Sequence, residues 1–171
     1  MNPDSMTLYK LILLFILDKV DFPLTNAQVS NFILEKGYTN YFNIQQALKE
    51  LDSSELIKGE TIRNSSYFVI TPAGRETLTF FNKEIGDAIK TEILDYLNEN
   101  KYKLREEVST LSEYYEEKKG EYMAHCYVQE CGSKIVEVSL NVSSEEEAVS
   151  ICNHWKEKSQ QIYAYLMQEL M

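Results

Sequence analysis

An α+β chain in two parts is the fold class that this sequence predicts, and three observations predict it. Through about residue 97, apolar residues recur at the three- and four-residue steps of buried helix faces. Two β-rich runs, Leu56-Ile57 and Tyr67-Phe68-Val69-Ile70, interrupt that pattern around the turn-forming Arg63-Asn64-Ser65-Ser66. From Tyr122 to Val142 the period falls to two, the spacing of half-buried strands, before helical spacing returns. The reading divides the chain into residues 1–100 and 101–171, the second a β-β-β-α domain.

The first helix is expected from about Asp4, a possible cap, to Lys19. Leu8, Tyr9 and the run Leu11 to Leu17 make it apolar nearly all round, so it must be buried on more than one side. One side can cover the helices that follow; the rest calls for a second domain or a second subunit. Thr25 and Asn26 are cap types before the stripe Val29, Phe32, Ile33, and Gly37 stands where positive φ ends a helix. After the turn Gly37-Tyr38-Thr39-Asn40, a second stripe runs Ile44, Ala47, Leu48, Leu51. Its opposite face carries Phe42, Gln45, Gln46, Lys49 and Ser53. Two short helices across a glycine turn, followed by a hairpin, predict a winged helix-turn-helix. Thr71-Pro72 closes the hairpin as N-cap and first helical residue.

The run from Tyr67 through Thr71-Pro72-Ala73-Gly74-Arg75 resembles the wing-to-helix passage of bacterial regulators of the PadR and MarR kind. More narrowly, TLYKLILLFILDKVDFPLTNAQVSNFILEKGYTNYFNIQQAL resembles the opening of the bacterial domain-of-unknown-function family 4364. The resemblance covers most of the chain and is sharpest to about Arg75. It implies a winged-helix fold and a role as transcriptional regulator.

Beyond the wing, Leu78, Phe81, Ile85, Ile89, Ile93 and Tyr96/Leu97 give one long helix, or two joined near Gly86, stopping at Asn98-Glu99-Asn100. A first strand is expected over Glu107 to Glu116. The alternating runs Tyr122–Gln129 and Val136–Val142 supply two more, with turns at Lys118-Lys119-Gly120 and Cys131-Gly132-Ser133. Ser143 and Ser144, each three residues before a glutamate, open the last helix as overlapping capping boxes. Its stripe Ala148, Ile151, Trp155, Ile162, Leu166, Leu170 should lie across the apolar sheet face.

Composition narrows the function classes. The 171 residues are 44% hydrophobic, enough for a core, and Leu11–Leu17 falls far short of the roughly 20 residues of a membrane span. No export signal is visible, and three cysteines, an odd number, fit reduced thiols in the cytoplasm. His125-Cys126, Cys131 and Cys152-Asn153-His154 match neither a CxxC pair nor a short catalytic signature. Neighbours on a strand face opposite ways, so His125 and Cys126 cannot share a site there. No catalytic, metal or cofactor site is expected. The tyrosine-rich second half fits ordinary sheet packing better than an aromatic effector pocket or a subunit interface.

The net charge of −10 opposes nucleic-acid binding, yet residues 1–82 carry only −2 of it and residues 83–171 carry −8. The leading expectation is therefore a DNA-binding transcriptional regulator acting as a homodimer on double-stranded DNA. Gln45 and Gln46 would read adenine edges, and Lys49 would reach base or phosphate. Asn40, Tyr41 and Asn43 would meet phosphates at the helix N-terminus, with Lys58, Arg63 and Asn64 holding the flanking backbone. The alternative is a winged-helix module that binds protein, because a fold does not fix a function. A basic surface around Gln45, Gln46, Lys49 and the wing favours the first; an acidic or apolar one favours the second.

Overall fold

Seven consecutive side chains, Leu11 to Leu17, are each no more than 5% exposed, and they lie in helix α1 (Ser5–Asp18). The computed structural model describes residues 4–171. Asp4 caps α1, its carboxylate accepting from the Met6 and Thr7 N–H groups at 2.8 and 3.1 Å. The all-round burial of α1 is real, but the second domain or subunit expected to complete it is not needed. Helix α3 (Tyr41–Ser53), helix α4 (Pro72–Phe81), strand β3 (Ser65–Ile70) and a 3-10 turn (Asn82–Glu84) of the same compact unit surround it. Removing a side chain such as Leu14 from this position costs about 2–5 kcal/mol.

Between them, strand β1 (Leu24–Thr25) leads into helix α2 (Asn26–Lys36). Thr25 and Gln28 form a reciprocal capping box, and Gly37 ends α2 at φ 70°. The Gln28 side chain reaches further, donating to the Leu104 carbonyl at 3.3 Å. Asn40 caps α3, whose inner face is the expected Ile44, Ala47, Leu48, Leu51 stripe. Strand β2 (Ile57–Ile62) pairs with β3, and β1 with the other edge of β3, giving the antiparallel order β1-β3-β2. The turn is tighter than the four residues expected: Arg63 and Asn64 alone form it, at φ 45° and 64°, while Ser65 and Ser66 already pair with Ile62 and Thr61. Two positive-φ residues make the hairpin turn whose twist matches the strands.

Thr71 caps α4 with Pro72 at its start. Gly74 follows because nothing larger fits, a β-carbon there falling 2.0 Å from the Leu56 carbonyl oxygen. The helical run past the hairpin is broken near Gly86, and helix α5 (Asp87–Ser109) begins there. The stop expected at Asn98-Glu99-Asn100 does not occur. Asn100 turns its amide back onto the Tyr96 carbonyl at 2.9 Å, and Leu104 and Val108 extend the apolar stripe. The first compact unit ends at Arg105 and the second begins at Glu106.

In the second unit, strands β4 (Thr110–Lys118), β5 (Glu121–Glu130) and β6 (Ser133–Val142) form an antiparallel meander. Residues 107–109, expected to open the first strand, are still helical. Helix α6 (Glu145–Leu170) packs chiefly over β4 and β5. Ser144 caps it through the Glu147 N–H, while the Glu147 carboxylate takes the Ser143 N–H, so the two expected boxes merge into one. The buried stripe is Ala148, Cys152, Trp155 and Ser159. Leu170, expected on the sheet, is 80% exposed, because α6 outruns the strands beneath it.

Candidate functional site

The outward side of α3 and the β2–β3 hairpin enclose a groove of about 340 Å³ lined by Asn26, Gln45, Lys49, Asp52, Gly59 and Glu60. Its walls are fixed by side-chain bonds. Asn26 of α2 and Gln45 of α3 exchange two amide hydrogen bonds, at 2.7 and 2.8 Å. Asp52 accepts the Gly59 N–H at 3.1 Å, seating the base of the hairpin against the end of α3. Tyr38, in the turn between α2 and α3, donates its hydroxyl to Glu92 of α5, and burial followed by that carboxylate pushes its pKa up. Phe32 and Tyr96 stack 4.6 Å apart beside it.

Each residue expected to touch DNA has a distinct place. Asn40 accepts the Asn43 N–H, and the Asn43 amide bonds Thr39, so both serve first as the cap of α3. Tyr41 is exposed beside them. Gln45 is half-buried with its amide engaged by Asn26, which leaves it structuring the groove rather than reaching beyond it. Gln46 is exposed and donates to Glu50 at 2.9 Å. Glu50 in turn pairs with Lys10, and that lysine, ahead of Gln46, holds the Glu50 carboxyl below its usual pKa. Lys49 and Lys58 are exposed on α3 and β2, and Arg63-Asn64 is the hairpin tip. The groove thus gathers Gln45 and Lys49, with the α3 N-terminus and the hairpin tip outside its walls.

One residue placed on this outward face by its spacing was given no part in binding. Phe42 is 83% exposed at the start of α3, beside Tyr41 at 53%. The signal was in the sequence: an aromatic residue out of phase with the buried stripe, four positions before Gln46. The charge here is mixed. Lys49, Lys58 and Arg63 share the region with Asp52, Glu55 and Glu60, all exposed.

In the second unit, His125 lies between Glu113, 3.1 Å from its Nδ1, and Glu137 on the neighbouring strand. Cys126 points to the other face and is buried, as strand alternation requires. Cys152 is buried with its thiol 3.4 Å from the Glu113 carbonyl, and Cys131 is exposed. Among the described residues, no group of three or more His, Cys, Asp or Glu side chains is arranged to hold a metal ion, and no helix is long and apolar enough to cross a membrane.

The family model described as Domain of unknown function (DUF4364) matches residues 9–170. The chain belongs to that family. No curated protein and no solved structure gives a match. The DUF4364 match takes in both compact units, so the α3–hairpin groove and the β-meander with α6 are parts of one family domain.

Proposed function

We propose that this chain is a DNA-binding transcriptional regulator, with α3 as the reading helix of a winged helix-turn-helix and the β2–β3 hairpin as its wing. The observation that carries the reading is the division of labour on α3. Its inner stripe is in the core and Gln45 is tied to Asn26, while Phe42, Gln46 and Lys49 stand outward beside a hairpin tipped by Arg63 and Asn64. A helix held from two sides with its third side open suits a major groove. In this reading Gln46 pairs with an adenine, Phe42 packs on a thymine methyl, and Lys49, Lys58, Arg63 and Asn64 meet phosphates or neighbouring bases. Asn40, Tyr41 and Asn43 present the α3 N-terminus to a phosphate. Gln45 positions the helix. The chain acts by binding, not by catalysis.

The alternative partner is a protein, and the interspersed Asp52, Glu55 and Glu60 with the bare Phe42 ring favour it. Selection of duplexes from a random-sequence library separates the two. Enrichment of a motif supports DNA; no enrichment at low salt, with capture of one protein lost on Phe42→Ala, supports the protein partner.

A further inference from the structure

The last twelve residues of α6 continue its buried stripe past the end of the sheet. Trp155 already donates its indole N–H to the Tyr127 carbonyl at 3.2 Å, and Tyr127 pairs with Leu111, one residue from the start of β4. About 15 residues of helix follow, on the order of 22 Å at 1.5 Å per residue. That length bears Ile162, Tyr163, Leu166, Met167 and Leu170 at helical spacing, with Tyr163 37%, Met167 42% and Leu170 80% exposed.

The same unit has a second apolar surface that is only partly covered, Val136 and Val138 being half-buried and Leu140 exposed. Cross-strand partners share a face, and Ala124, Cys126 and Val128 of β5 pair with Leu140, Val138 and Val136 of β6. Helix α6 buries Ala124 and Cys126, yet Leu140 on the same face stays 46% exposed, because α6 sits over β4 and β5. One is a helix end with little beneath it and the other a strand with little above it, and both belong to the same compact unit.

We propose that a second copy of this chain covers both: the distal half of α6 from each protomer lies on the open β6 face of the other. The exchange is isologous, so one contact made twice about a two-fold axis uses both surfaces. Charge selects this occupant. Residues 159–171 carry a single charged side chain, Glu169, in a chain of net −10, so two copies can meet here without the repulsion they would meet elsewhere. The apolar side chains named would bury on the order of 600 Å² per copy, roughly 1,200 Å² in all, the lower bound of a specific interface. The proposal stands apart from the DNA reading, since it concerns a different surface of a different unit.

The test is the solution mass of the full chain at micromolar concentration, for the parent and three exposed-site variants. The parent should weigh twice 19.9 kDa. The pair Met167→Glu/Leu170→Glu, and separately Leu140→Glu, should each weaken dimerisation about tenfold or more while leaving circular dichroism and the melting temperature of the monomer unchanged. Phe80→Glu, on an exposed aromatic of the first unit, should leave the dimer intact. A monomeric parent overturns the proposal. So does a dimer broken by Phe80→Glu but not by the α6 pair, and so does one broken by the α6 pair but indifferent to Leu140→Glu, which would be helix on helix.

Discussion

Asn26 and Gln45 pair amide to amide across the two helices of the candidate site, each donating to and accepting from the other at 2.7 and 2.8 Å. Ser30 joins them, its hydroxyl 2.8 Å from Asn26 and 3.4 Å from Gln45. The crossing of α2 and α3 is therefore set by polar as well as apolar contacts, and the groove inherits its width from both.

Gln45→Ala should consequently lower stability, by about 1–2 kcal/mol, since it leaves the N–H of the half-buried Asn26 amide without the Gln45 acceptor. Chemical denaturation measures it. The double variant with Asn26→Ala should lose less than the two single losses added together. Additive losses would mean that the pair is not coupled.

Gly74→Ala should be among the most damaging single-methyl changes in the chain. The added carbon meets the Leu56 carbonyl oxygen at 2.0 Å and Ile70 at 2.8 Å, and the carbonyl also accepts the Thr71 N–H and hydroxyl. Separating α4 from the hairpin base should cost about 2–3 kcal/mol. Gly86→Ala, with open space around it, should cost nothing measurable or stabilise.

On a selected DNA site, Gln46→Ala and Phe42→Ala should each weaken binding by about 1–3 kcal/mol while hardly touching random duplex. Arg63→Ala should weaken both and flatten the salt slope by about 1. With so few cations the parent slope should be near −5 for a dimer that neutralises roughly 6 phosphates. Replacing thymine by uracil should remove the effect of Phe42→Ala at one position and nowhere else.

Tyr38 predicts an alkaline signature. Its pKa lies above the ordinary tyrosine value of 10.0 in the folded chain, from burial first and then from Glu92. The unfolded state therefore loses its phenolic proton at lower pH than the folded state. The associated stability is complete below pH 10.0 and falls as pH rises above it. Tyr38→Phe should have a flatter stability profile above pH 10.0 than the parent.

Much of this was legible from local chemistry. The caps at Asp4, Thr25, Thr71 and Ser144 each needed only the residue and the apolar step after it, whereas Asn40 shows its capping role only in the fold. The meander followed from strict alternation. What escaped were features decided by distant residues. Asn98-Glu99-Asn100 has the composition of a helix end, but the Asn100 back-bond and the later Leu104 and Val108 carry α5 through it. Gln45 and Gln46 are adjacent and chemically identical in sequence, and only the position of Asn26 across the turn separates a structural amide from an outward one. The all-apolar α1 implies a second interface by composition alone, yet α3, α4, β3 and the 3-10 turn of its own unit suffice to bury Leu11–Leu17.

That central helix also leaves a ribosome before the elements that cover it. Its neighbours in α3, β3, α4 and the 3-10 turn lie between Tyr41 and Glu84, so translation at 5–20 residues per second leaves Leu11–Leu17 without them for roughly 3–13 s. During that interval the nascent chain displays seven adjacent large aliphatic or aromatic side chains. Production in cells should therefore depend on chaperone capacity and on growth temperature more steeply than the stability of the finished protein would suggest.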